Sequence, residues 1–176
     1  VKSDDSIWFT DPLFGINGEW EGFRATSEQA TTNVYRLDSD GKLTAVITDI
    51  LNPNGLAFSL DEGLLYVVDT GSTHIANGPN HIRRFHVGSD GTLSGGEVFA
   101  VNDAKNFDGL RIDSEGRLWC GAGEGVRCYL PDGTMIGILL VPERVANLTF
   151  GGSDGGWMFM TGTTSLYRVP VSARRP

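Results

Sequence analysis

Apolar residues along this chain gather in short runs of strand length, with turn residues between them. One set of runs covers residues 7–11, 65–69, 118–121 and 157–161, and a second covers 34–37, 82–85, 126–129 and 166–169. A third covers 43–47, 96–100 and 135–140. Between the runs stand Ser39-Asp40-Gly41, Ser89-Asp90-Gly91, Ser114-Glu115-Gly116, Pro131-Asp132-Gly133 and Ser153-Asp154-Gly155. Asp-Gly and Glu-Gly pairs supply the positive φ that tight turns between antiparallel strands require. The pattern predicts an all-β chain.

A fourth kind of run carries polar groups at its start. It reads Asn52-Pro53-Asn54-Gly55-Leu56-Ala57-Phe58, then Asn106-Phe107-Asp108-Gly109-Leu110-Arg111-Ile112, then Val145-Ala146-Asn147-Leu148-Thr149-Phe150. Each places Asn or Asp just before an apolar stretch, and the first two continue Gly-Leu. With the other three sets it makes a four-stranded unit that recurs about every 40 to 58 residues, the signature of a β-propeller blade. The Trp, Tyr and Phe positions read as packing between blades. The chain enters at a second strand, runs through two complete blades and ends in three strands of a last one. That is about three and a half blades, treated as one partial propeller domain over residues 1–176. A propeller closes its ring to hide strand edges, so a second chain or a preceding segment is expected to complete it.

The composition supports this picture and excludes others. Gly is abundant, at 24 residues, which favours many turns over helices. The net charge is -8 with no basic cluster, which argues against a nucleic-acid partner. No apolar run approaches the roughly 20 residues needed to cross a bilayer, so no membrane span is expected. The opening Val1-Lys2-Ser3-Asp4-Asp5 carries neither Met nor a signal-peptide pattern. A processed, truncated or partial chain is therefore expected. The protein reads as soluble, cytoplasmic or periplasmic, and its first residues do not decide which. Cys120 and Cys128 lie in consecutive strands. A hairpin centred on Glu124 would set them face to face, and two buried thiols remain the plainer reading, since directly cross-strand disulfides are strained.

Four of these segments together are distinctive: Ile7-Trp8-Phe9-Thr10-Asp11-Pro12, Pro53-Asn54-Gly55-Leu56-Ala57-Phe58-Ser59, Leu65-Tyr66-Val67-Val68-Asp69-Thr70 and Asp108-Gly109-Leu110-Arg111-Ile112-Asp113. In this order they resemble the gluconolactonase / SMP-30 / luciferin-regenerating-enzyme (SGL) family, over nearly the whole chain. The resemblance implies a six-bladed propeller that holds one divalent metal in a central tunnel and hydrolyses lactones, with some relatives cleaving phosphorus esters. It implies that Asn54 and Asp108 are metal ligands and that Asp108 is the general base or nucleophile. The family's other two ligands, a Glu and an Asn from earlier strands, would precede Val1.

On spacing alone, Asn54 and Asp108 are equally well read as ligands or as turn residues capping their own backbone. Oxygen donors of this kind suit a hard cation, Ca2+ foremost, with Mg2+, Mn2+ or Zn2+ as other occupants. Gly55 and Gly109 would let the backbone run close to the tunnel axis. Asn147 is expected at the equivalent place in the last blade, lining the substrate pocket. Asp11 and Asp69 end matching strands, as turn formers or as supports behind the ligands. The family resemblance places the long segment 14–32 over the tunnel mouth, where Phe14 and Trp20 would cover a sugar-like substrate, with plain surface packing as the other reading. His74, His81 and His86 read as loop and strand residues rather than ligands. The leading expectation is a metal-dependent lactonase acting on a small lactone. A non-catalytic binding propeller, or a phosphotriester or other ester hydrolase on the same scaffold, stands beside it.

Overall fold

The computed structural model describes residues 1–102 and 106–176 of the chain. Among them, consecutive strands pair antiparallel into four up-and-down sheets. The first sheet holds β1 (Ile7–Asp11), β2 (Asn33–Leu37) and β3 (Leu43–Ile47). The second holds β4 (Pro53–Phe58), β5 (Leu64–Asp69), β6 (His81–Val87) and β7 (Leu93–Val101). The third holds β8 (Phe107–Ile112), β9 (Leu118–Ala122), β10 (Gly125–Tyr129) and β11 (Met135–Leu140). The fourth holds β12 (Val145–Gly151), β13 (Trp157–Gly162) and β14 (Leu166–Pro170). Three strands, then four, four and three, make the expected three and a half blades.

The sheets stack face to face, and one apolar layer fills each interface. Trp8, Val34, Leu65, Val67 and Phe85 join the first two sheets. Tyr66, Val68, Phe107, Leu110 and Cys120 join the second and third. Val126, Leu148, Phe150, Met158 and Met160 join the third and fourth. Strand β5 explains the arrangement: Leu65 and Val67 point to one layer, Tyr66 and Val68 to the other. A strand buried on both faces reads as a continuous apolar run, as β5 does. Aromatic rings lock the layers edge to face, with Trp8 5.3 Å from Phe58 and Trp119 6.1 Å from Phe150. Fully burying one such side chain is worth roughly 1.5–3 kcal/mol.

The turns follow the sequence pattern. Gly41 and Gly133 sit at φ 88° and 92°, a region closed to most side chains. The aspartate before each glycine closes its turn: Asp40 and Asp132 accept the backbone N–H of Lys42 and Thr134. No helix among the described residues is long and apolar enough to cross a membrane. The helix α1 (Phe14–Asn17) is a single turn at the start of the long segment.

The thiols depart from the face-to-face geometry. Strand β10 pairs with β9 through Gly125–Ala122, so the hairpin turns on Gly123 and Glu124 together. That sets Cys120 opposite Arg127 and Cys128 opposite Trp119. A one-residue shift of register sends the two thiols to opposite faces of the sheet. Both are free and buried, and burial pushes their pKa values up, to about 12 for Cys128.

Candidate functional site

The inner strands β4, β8 and β12 lie side by side, one from each of three successive sheets. Each is bulged near the same end. In β4 the residues Asn54 and Gly55 fall between the pairs Pro53–Asp69 and Leu56–Val67. In β8 Asp108 and Gly109 fall between Phe107–Ala122 and Leu110–Cys120. In β12 the shift falls between Val145 and Asn147. A bulge re-aims the side chains it contains, and here it turns Asn54 and Asp108 toward each other. The Asn54 amide lies near enough to the Asp108 carboxylate to favour its charged form.

The glycines serve strand packing here. A Cβ on Gly55 would come 2.5 Å from the Asp108 carbonyl oxygen, so glycine lets β4 press against β8. A Cβ on Gly109 would come 2.5 Å from Cγ of Asn147, so the Asn147 amide occupies that space. Counting back from the paired leucines Leu56, Leu110 and Leu148, the position of Asn54 and Asp108 is filled in β12 by Ala146. Asn147 stands one residue later, where the other strands have glycine. Its amide oxygen accepts from Leu148 N–H, and its backbone bonds the Thr161 hydroxyl.

Asp108 is set apart by its surroundings. Its side chain is only 22% exposed. Burial raises its pKa to about 6, against the pull of the Arg144 guanidinium and the Asn54 amide, while the Glu21 carboxylate pushes the same way as burial. Arg144 reaches it from the turn before β12, with Nη2 3.6 Å from Oδ2. Glu21 comes from the segment 14–32, so that part of the segment lies within electrostatic reach of Asp108. Trp20, however, is 93% exposed, and the Phe14 ring packs 5.4 Å from His74. Neither lines the cavity of about 310 Å³ beneath the segment, which Asp11 and residues 25–29 help to form.

The two strand-end aspartates have different tasks. Asp69 is buried and accepts three backbone N–H bonds, from Leu51 and Asn52 at 3.0 and 2.9 Å and from Gly71 at 3.0 Å. It clamps the entrance to β4. Thr70, next to it, accepts from the Asn54 amide nitrogen at 3.3 Å. Asp69 thus supports Asn54 through the backbone. Asp11 accepts a bond from Gln29 and ties the long segment down.

The donors fit a hard cation. The Asn54 nitrogen donates to the Thr70 hydroxyl, which leaves the amide oxygen to face a cation near the Asp108 carboxylate. Among the described residues no three His, Cys, Asp or Glu side chains converge, and the three histidines do not meet. Sequence reasoning missed Arg144 and Glu21. Arg144 could have been found from its place one residue before the third copy of the polar motif.

The geometry and the motifs agree with what this chain is similar to. Residues 1–164 match the family described as SMP-30/gluconolactonase/LRE-like region. The chain belongs to this family. It is 29% identical over 175 residues to a gluconolactonase from Zymomonas mobilis, covering 93% of this chain and 47% of that protein. It is 32% identical over 140 residues to a pentonolactonase from Haloferax volcanii, covering 77% and 46%. The solved structure of a gluconolactonase from Xanthomonas campestris superposes with a TM-score of 0.86 at 36% identity, over 97% of this chain and 55% of that one. The chain spans about half the length of the relatives it matches.

Proposed function

We propose that the protein hydrolyses sugar lactones, with Asp108 as general base or nucleophile. The observation that carries this reading is the pairing of Asp108 with Asn54 at matched bulges of adjacent inner strands. The lactonase names of the relatives support it. Asn54 and Asp108 would hold one divalent cation, Ca2+ by the oxygen chemistry of the pair. When bound, that cation supplies Lewis acidity to the lactone carbonyl.

The chain's own residues do the rest. Water adds to the carbonyl carbon as its proton passes to the Asp108 carboxylate. The ring ester C–O bond breaks, the ring oxygen takes up a proton, and the new acid ionises. Burial makes the ionised Asp108 a stronger base than an exposed carboxylate. Asn54 orients that carboxylate, and Thr70 orients Asn54. The segment 14–32 brings the Glu21 carboxylate within electrostatic reach of Asp108, where it favours the protonated acid. The ring of blades is completed by a preceding segment or a second chain that covers the outward face of β1, where Ile7 and Phe9 are exposed.

The test is a pH-stat assay with D-glucono-1,5-lactone, with and without added Ca2+ or Mn2+. The reading predicts cation-dependent acid release that Asp108→Asn abolishes. Release no faster than the uncatalysed background with either cation would refute it.

A further inference from the structure

Arg144 differs from the arginines of this fold that pair closely with a carboxylate. Arg83 grips Asp49 with two nitrogens, each 3.0 Å from a carboxylate oxygen, and Arg117 meets Asp113 at 2.7 Å. Arg127 holds Glu124 just as closely. Arg144 stands 3.6 Å from Asp108, beyond the roughly 2.7–2.9 Å of a charge-assisted hydrogen bond. It is 48% exposed, and its planar fork of five donors is left largely open toward solvent. The turn that carries it is nevertheless fixed. Glu143 beside it accepts from Thr164 N–H and hydroxyl, both at 2.8 Å, and from the Ser165 hydroxyl at 2.9 Å. At the other end of the turn, Val141 N–H donates to the Glu124 carbonyl. A pinned turn thus presents a guanidinium, held but not consumed, beside the carboxylate assigned to the reaction.

The chemistry of ring opening gives that group a task. A sugar lactone is neutral, and the open product carries a carboxylate. We propose that Arg144 is the specificity residue that receives the product carboxylate, binding aldonates in preference to the lactones they come from. A planar fork suits a carboxylate in two-point contact, whereas a neutral ring ester offers it only single weak acceptors. The proposal rests on the lactonase reading for the identity of the ligand, but it makes a separate claim about binding.

The experiment is calorimetric titration of D-gluconate into the full chain, wild type, Arg144→Gln and Arg144→Lys, at fixed Ca2+. KM for D-glucono-1,5-lactone and product inhibition by D-gluconate are measured on the same samples. Arg144→Gln should weaken gluconate binding and product inhibition by about tenfold or more, while KM for the lactone moves by less than about threefold. Arg144→Lys should recover part of the gluconate affinity, since it keeps the charge and loses the fork. A merely structural Arg144 would move both ligands together or shift the unfolding midpoint. The inference is overturned if wild type binds no gluconate, if Arg144→Gln binds it as tightly as wild type, or if lactone and gluconate weaken equally. Wild-type protein that opens lactones while Arg144→Gln binds gluconate normally sinks this inference alone. Arg144-dependent gluconate binding without lactone opening sinks the lactonase reading instead.

Discussion

Asp69 and Asp108 are both largely buried carboxylates near the inner ends of neighbouring blades, and their surroundings separate them. Asp69 has three backbone N–H donors within 3.0 Å. It is fully used in holding two chain segments together. Asp108 has nothing comparable: the Asn54 amide and the Gly109 N–H favour its charge, and Arg144 stays 3.6 Å away. Burial dominates there and lifts its pKa to about 6. A carboxylate saturated by the backbone is a structural clamp, whereas one that is buried and incompletely matched is available for a proton or a cation.

The contrast can be broken in several ways, and the largest expected effect is on rate. Asp108→Asn should lower the rate of lactone opening by about 10²–10⁴, the range for loss of a general base, with the fold intact by circular dichroism. Asp69→Ala should do the reverse. It leaves three buried N–H groups without an acceptor and should cost about 3–5 kcal/mol of stability in a denaturant titration. A smaller effect tests the strand contact between the two regions. Gly55→Ala drives a Cβ toward the Asp108 carbonyl, and it should cost roughly 1–3 kcal/mol while raising KM through displacement of Asn54.

The smallest effect concerns pH. Because folding raises the Asp108 pKa, the folded protein disfavours its ionised form. That penalty is absent below the unfolded-state value near 4, grows between about 4 and about 6, and is fully present above 6. In cation-free buffer, Asp108→Asn should therefore be more stable than wild type at pH 7.5 by roughly 1–3 kcal/mol, and the difference should vanish by pH 4. A difference that is constant with pH would remove burial as the cause.

Much of the fold was legible because its signals are local. Apolar runs such as Leu65-Tyr66-Val67-Val68 and turns such as Asp40-Gly41 declare strands and hairpins without reference to the rest of the chain. Asn54 and Asp108 were legible as a repeated position and through family resemblance. The exact registers were not. One inserted residue in a bulge leaves no periodic trace, so Asn147 reads as the partner of Asn54 and Asp108, although Ala146 holds that slot. A turn on Gly123 and Glu124, rather than one centred on Glu124, likewise puts Cys128 on the opposite face from Cys120. Glu21 comes near Asp108 from a distant segment, and nothing in its local sequence records that, whereas Arg144 stands one residue before the third copy of the polar motif. The family resemblance puts the segment 14–32 over the site with Trp20 as a cover, whereas Trp20 is 93% exposed and Glu21 is the residue of that segment whose charge Asp108 feels.

The difference between the two aspartates is most directly measured by following the carboxyl carbons of 13C-labelled aspartate by NMR through a pH titration of cation-free protein, with Asp108→Asn used to assign the signal. The account predicts that the Asp108 resonance titrates with a midpoint of about 6, and that added Ca2+ moves the midpoint down. An Asp108 signal that titrates with the exposed aspartates near pH 4, and ignores Ca2+, would contradict it.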